Sequence, residues 1–108
     1  MIIGVPTEVK NNENRVGLTP YSVKKIVDSG HDVLIQNNAG ANIGFFNDQY
    51  QNAGAKIITT PEEIFKKSEI IVKVKEPQAN EVKMIRENQV IYTLSLIHIS
   101  EPTRRTPI

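Results

Sequence analysis

The sequence has 108 residues, 39% of them hydrophobic and 23% charged, a length that serves one small domain and excludes a two-domain catalyst. Its 13 Lys plus Arg against 12 Asp plus Glu leave a formal net charge of +1, which argues against nucleic acid as a partner and suits plain solubility. Without a Cys there is no disulfide, thiolate nucleophile or Cys-based metal centre, and His31 and His98 are too far apart in sequence to suggest a metal site, so no metal is expected and a cytoplasmic setting is compatible.

The opening apolar run, Ile2 to Val5, has no basic flank and stops long before a signal-peptide core or a membrane span could form, so it reads as a first strand. Thr19-Pro20 then starts a helix, with the Thr19 hydroxyl as cap and Pro20 in the first turn, where a missing amide hydrogen costs nothing. Val23, Ile26 and Val27 form its apolar face, and Gly30 closes it in the left-handed conformation. Residues 33–35 read as the second strand, 48–53 as a short helix ended by Gly54, and 57–58 as the third strand.

At Thr60-Pro61-Glu62-Glu63 the chain spells a capping box, in which the Glu63 carboxylate reaches back to Thr60, and Ile64 and Phe65 supply the buried side of the helix. A fourth strand follows over residues 70–74, a helix over 80–86 with Val82, Met84 and Ile85 as its less polar members, and a fifth strand from Val90 to Thr93. Spans of roughly 20 residues between strands suit strand-helix-strand units with right-handed crossovers. The expected fold is therefore α/β, a three-layer, mostly parallel sheet with helices on both faces, Rossmann-like or flavodoxin-like. Residues 94–108 have no sustained period and carry Pro102 and Pro107, so they read as a tail outside the domain of residues 1–93.

Open parallel sheets keep ligands beyond the carboxyl ends of their strands, and three polar features fall there. The loop of residues 8–15 ends on Arg15, whose guanidinium fork can hold a small carboxylate by two parallel bonds; bracing the loop is the alternative. In Lys73-Val74-Lys75-Glu76-Pro77 an extended strand would put both ammonium groups on one side. Either one lysine is aimed into a cleft, or both are exposed lysines guarding a sheet edge. Asn38-Ala39-Gly40-Ala41 and Ala53-Gly54-Ala55 do not match the dinucleotide fingerprint and read as tight turns and helix closures. Gly17 reads as a flexible point in its loop, and His31 as a packing or capping residue.

The strings Ile3-Gly4-Val5-Pro6-Thr7-Glu8 and Asn11-Asn12-Glu13-Asn14-Arg15-Val16-Gly17-Leu18-Thr19-Pro20 resemble the start of alanine dehydrogenases and of the related alpha subunit of nicotinamide nucleotide transhydrogenase. Gly30-His31-Asp32-Val33-Leu34-Ile35 and the two Gly-Ala strings continue the resemblance, which runs from Met1 to Thr93. Lys73-Val74-Lys75-Glu76-Pro77 favours the alanine dehydrogenases, because transhydrogenase subunits more often lack the Lys-Glu pair. A non-catalytic module that binds a small carboxylate is a third reading.

The resemblance implies an amino-terminal, substrate-side piece of a cytoplasmic homo-oligomer, a hexamer in the full-length family, that converts L-alanine to pyruvate and ammonia with NAD bound by a second domain later in the chain. By that resemblance Arg15 matches the carboxylate-binding arginine and Lys75 the substrate-binding lysine, no residue here binds the cofactor, and no membrane is involved. The chain by itself is then expected to be inactive. The family's catalytic histidine falls on Leu96, and His98 comes two residues late, a displacement of about 7 Å along a strand that forfeits the role. Residues 95–108 resemble translated sequencing adapter more than a protein domain.

Overall fold

The computed structural model describes residues 1–9 and 14–94. Five strands and four α-helices follow one another: β1 Ile2–Val5, α1 Pro20–Asp28, β2 Asp32–Gln36, α2 Asn47–Asn52, β3 Lys56–Ile58, α3 Pro61–Lys67, β4 Ile70–Lys73, α4 Ala79–Val82 and β5 Val90–Thr93, with one 3₁₀ turn at Ala41–Ile43. All pairings among them are parallel, and the sheet order is β3-β2-β1-β4-β5. That is the strand order of a Rossmann sheet rather than of a flavodoxin sheet, and it puts the reversal of winding between β1 and β4.

Alternation along each strand sorts the core into two layers. Ile3 and Val5, Val33 and Ile35, and Val72 pack with Val23 of α1 and Tyr50 of α2 on one face. Leu34, Ile71 and Ile91 pack with Ile64 and Phe65 of α3 on the other, where Met84 and Ile85 join them. Ile35, Ile64, Ile71 and Phe65 are fully buried, and each such side chain removed from water contributes about 1.5–3 kcal/mol to hydrophobic stabilisation. Gly4 faces the second layer, and the carboxyl end of α3 comes so near that a Cβ at Gly4 would collide with Ser68 Oγ.

Local chemistry accounts for most boundaries. Thr19 accepts a bond from Ser22 N and caps α1, and Gly30, at φ 100°, closes it. Gly54, at φ 106°, follows the end of α2. Thr60 accepts from Glu63 N at 3.3 Å, but the Glu63 carboxylate turns to Lys67 at 2.8 Å, so an i,i+4 ion pair replaces the second half of the expected capping box.

Two expected elements are shorter. The fourth strand ends at Lys73 because the chain bends at Val74 and Lys75. The expected helix over 80–86 is a single turn, Ala79–Val82, with Val82 exposed, because Met84 and Ile85 reach the core from a turn rather than from a helical face. Residues 95–108, including Leu96, His98, Pro102 and Pro107, lie outside the described residues. No helix among the described residues is long and apolar enough to cross a membrane.

Candidate functional site

The chain leaves β1 and β4 side by side at the reversal point of the sheet, where the diverging connections open a crevice in folds of this topology. Three charged side chains converge there. Glu8, three residues past β1, accepts from Lys73 Nζ at 3.0 Å and from Lys75 N at 3.3 Å through Oε1, and from Val74 N at 2.9 Å through Oε2. Lys73 Nζ also donates to Glu81 Oε2 at 3.0 Å, while Glu81 Oε1 accepts from Gln78 N at 2.9 Å. The Lys73, Glu8 and Glu81 side chains are 1%, 2% and 2% exposed, so each charge has exchanged water for a partner. Burial of this depth is tolerable only with such pairing.

This arrangement corrects the reading of Lys73 and Lys75 as neighbours on one strand face. Lys73 belongs to an interior strand and is buried, so it guards no sheet edge. Lys75 lies past the end of the strand, half-buried, on a bend whose backbone is fixed by the Glu8 carboxylate.

Arg15 is exposed. The segment after it is held at three points. Val16 is buried in the first core layer, Gly17 lies so close to β4 that a Cβ there would stand 2.7 Å from Val72 O, and Leu18 O accepts from Tyr50 Oη at 2.7 Å. Asn14, just before it, accepts from Asn42 Nδ2 of the 3₁₀ turn at 3.3 Å. Gly17 is thus a close-approach glycine, not a flexible point in the loop. The backbones bearing Arg15 and Lys75 are both anchored at the carboxyl end of β4, through Val72 in one case and the bend after Lys73 in the other.

Tyr50 is fully enclosed, and burial pushes its hydroxyl up to about 12. It supports the Arg15 loop as an uncharged donor. Asn38, at φ 62°, donates its amide to Asn47 Oδ1, which fixes the turn between β2 and α2. Gly40 sits beneath Phe45 and Tyr50 in that turn, with a Cβ position 2.9 Å from each, and Gly54 closes α2, so both Gly-Ala strings serve as turns. His31 is half-buried where α1 meets β2, and its amide donates to Ile26 O. Among the described residues there is no group of three His, Asp or Glu placed to hold a metal.

Besides the role of Glu8, the sequence reading passed over Glu81. Its signal was indirect. An interior-strand lysine requires a carboxylate, and Gln78-Ala79-Asn80-Glu81 has the spacing that lets Glu81 cap its own helix and still present its second oxygen.

A parallel α/β unit with Rossmann strand order, carrying a buried charge cluster at its reversal point, is the class that the fold and site define. Comparison with known proteins makes it particular. The sequence model of the family described as "Alanine dehydrogenase/PNT, N-terminal domain" matches residues 4–106, and this chain belongs to that family. It is 47% identical over 93 residues to an alanine dehydrogenase of Bacillus subtilis, covering 86% of this chain and 24% of the relative. It is 42% identical over 106 residues to one of Staphylococcus epidermidis, covering 98% and 28%. Among solved structures, an L-alanine dehydrogenase superposes with a TM-score of 0.86 at 38% identity, and a transhydrogenase from Sinorhizobium meliloti with 0.84 at 29%. Each covers 94% of this chain, but only 28% and 30% respectively of the solved chain. The chain thus spans about a quarter of the length of the curated relatives it matches.

Proposed function

We propose that this chain is the substrate-side domain of an NAD-linked L-alanine dehydrogenase, with Arg15 and Lys75 gripping the carboxylate of L-alanine or pyruvate. The observation that carries the reading is the anchoring of both backbones at the carboxyl end of β4, beside the reversal point of the sheet. Arg15 supplies a planar fork for two parallel bonds to the carboxylate. Lys75 donates to the carboxylate or carbonyl side and stabilises negative charge as it develops there. The 38% identity to a solved L-alanine dehydrogenase, against 29% to a solved transhydrogenase, supports this assignment over the transhydrogenase one.

Oxidation of alanine needs a hydride acceptor, and the described residues around the carboxyl end of β1 do not fit one. No glycine-rich fingerprint follows β1, and a carboxylate, Glu8, stands where a dinucleotide would bring its pyrophosphate. The chain's part is to bind and orient the organic acid, and NAD belongs to sequence beyond these 108 residues. Homo-oligomeric assembly and a cytoplasmic location go with the same reading.

A graft tests it. The Bacillus subtilis enzyme with its first 93 residues replaced by residues 1–93 of this chain should form NADH from L-alanine. Arg15→Lys and Lys75→Ala in that graft should each lower kcat/KM by about 10²-fold. A folded graft that binds NADH yet leaves L-alanine untouched would overturn the assignment, as would variants with undiminished kcat/KM.

A further inference from the structure

We propose that Glu8, backed by Lys73 and Glu81, is the positioning residue that presets Lys75. The inference rests on the assignment of Lys75 as a substrate-binding group. The bend carrying Lys75 is short and is fastened at both ends. Upstream, the Glu8 carboxylate takes the amides of Val74 and Lys75 and the ammonium of Lys73. Downstream, Glu81 holds the amide of Gln78 with one oxygen and Lys73 Nζ with the other. Lys73 therefore joins the two fastenings, and the segment between Lys73 and Gln78 is closed into a loop by charge-assisted bonds.

Stability alone does not call for such a device. A buried ion cluster of this kind can usually be exchanged for apolar side chains of similar volume at little or no cost. What apolar residues cannot do is fix a bend's amide directions, and those directions set where the Lys75 side chain departs. Glu8 also begins the loop that leads to Arg15, so one carboxylate ties the exit of β1 to the exit of β4. Both of its oxygens accept. An amide in its place presents an NH₂ group to Val74 N, or to Lys73 Nζ and Lys75 N, whichever way it is turned.

The test reads backbone amide exchange in the full 108-residue chain and kinetics in the Bacillus graft. Glu8→Gln should raise exchange at Val74 and Lys75 by about tenfold or more relative to Ile35 in β2, which serves as the internal reference. Glu8→Asp, which keeps the charge and shortens the reach, should act in the same direction and serves where Glu8→Gln does not fold. In the graft, Glu8→Gln should lower kcat/KM for L-alanine by about tenfold or more while the KM for NAD stays within about twofold. Exchange at Val74 and Lys75 that is unchanged, or that rises only in step with Ile35, would overturn the proposal. So would loosened amides with unaltered alanine kinetics. A folded parent graft without alanine activity would count against the function assigned to Lys75, and exchange would then decide the Glu8 fastening by itself.

Discussion

Tyr50 shows how one side chain links the core to the candidate site. Its ring fills the layer between α2 and the sheet, and its hydroxyl donates to Leu18 O, three residues after Arg15. Because burial raises its pKa from 10.0 to about 12, the folded state keeps its proton at pH values where the unfolded chain has released it. The stability due to this group is therefore fully present below about pH 10 and is lost as pH rises toward 12. Tyr50→Phe should cost about 1 kcal/mol at neutral pH, the ordinary worth of one hydrogen bond. The gap between the two proteins should narrow above pH 10, since Phe has no proton to lose. Urea unfolding of both proteins, followed from neutral pH into the alkaline range, checks this, and a gap that stayed constant would show that the hydroxyl is not held neutral by its burial.

At the scale of elements, the close contact of β1 with α3 is the most constrained packing in the sheet. Gly4 lets the helix end approach until Ser68 Oγ occupies the space of a side chain, with Ile64 beside it. Gly4→Ala should destabilise the chain by about 1–3 kcal/mol, the usual cost of overpacking. Adding Ser68→Gly should recover part of that loss, because it removes the nearest atoms and leaves Ile64. Thermal unfolding of the single and double variants measures both effects, and a double variant no more stable than Gly4→Ala alone would locate the strain elsewhere.

The five strands were legible in the sequence because Ile and Val runs bounded by Pro, Gly and Asn have few other uses in a buried parallel sheet. α4 was not. Val82, Met84 and Ile85 have the spacing of an apolar helix face, yet tertiary contact takes Met84 and Ile85 from a turn and leaves Val82 in water. At the site, Lys73 was conspicuous as a charge in an apolar run. Its partners were hidden, since Glu8 lies 65 positions away in sequence and meets it only because β1 pairs with β4, while Glu81, 8 positions away, meets it only because the chain turns back after β4.

At the scale of the whole molecule, strand order and site chemistry point in different directions, and the disagreement is informative. Order β3-β2-β1-β4-β5 is the frame on which dinucleotides bind, with the pyrophosphate at the reversal point against the amino end of the first helix. That use requires glycines after β1, so that backbone amides face the phosphates. Here the residues after β1 are Pro6, Thr7 and Glu8, and the amides of Val74 and Lys75 are already taken by a carboxylate. An incoming pyrophosphate would meet the negative Glu8, and drawing Lys73 away from its buried partners would cost several kcal/mol. Fold does not settle function, and a Rossmann strand order alone does not assign a nucleotide to this chain. The 108-residue chain should accordingly leave NADH fluorescence unchanged on titration to millimolar NADH and form no NADH from L-alanine. Saturable binding of NADH to the isolated chain, free of host enzyme, would mean that the crevice accepts a dinucleotide after all and that Glu8 must move to admit it.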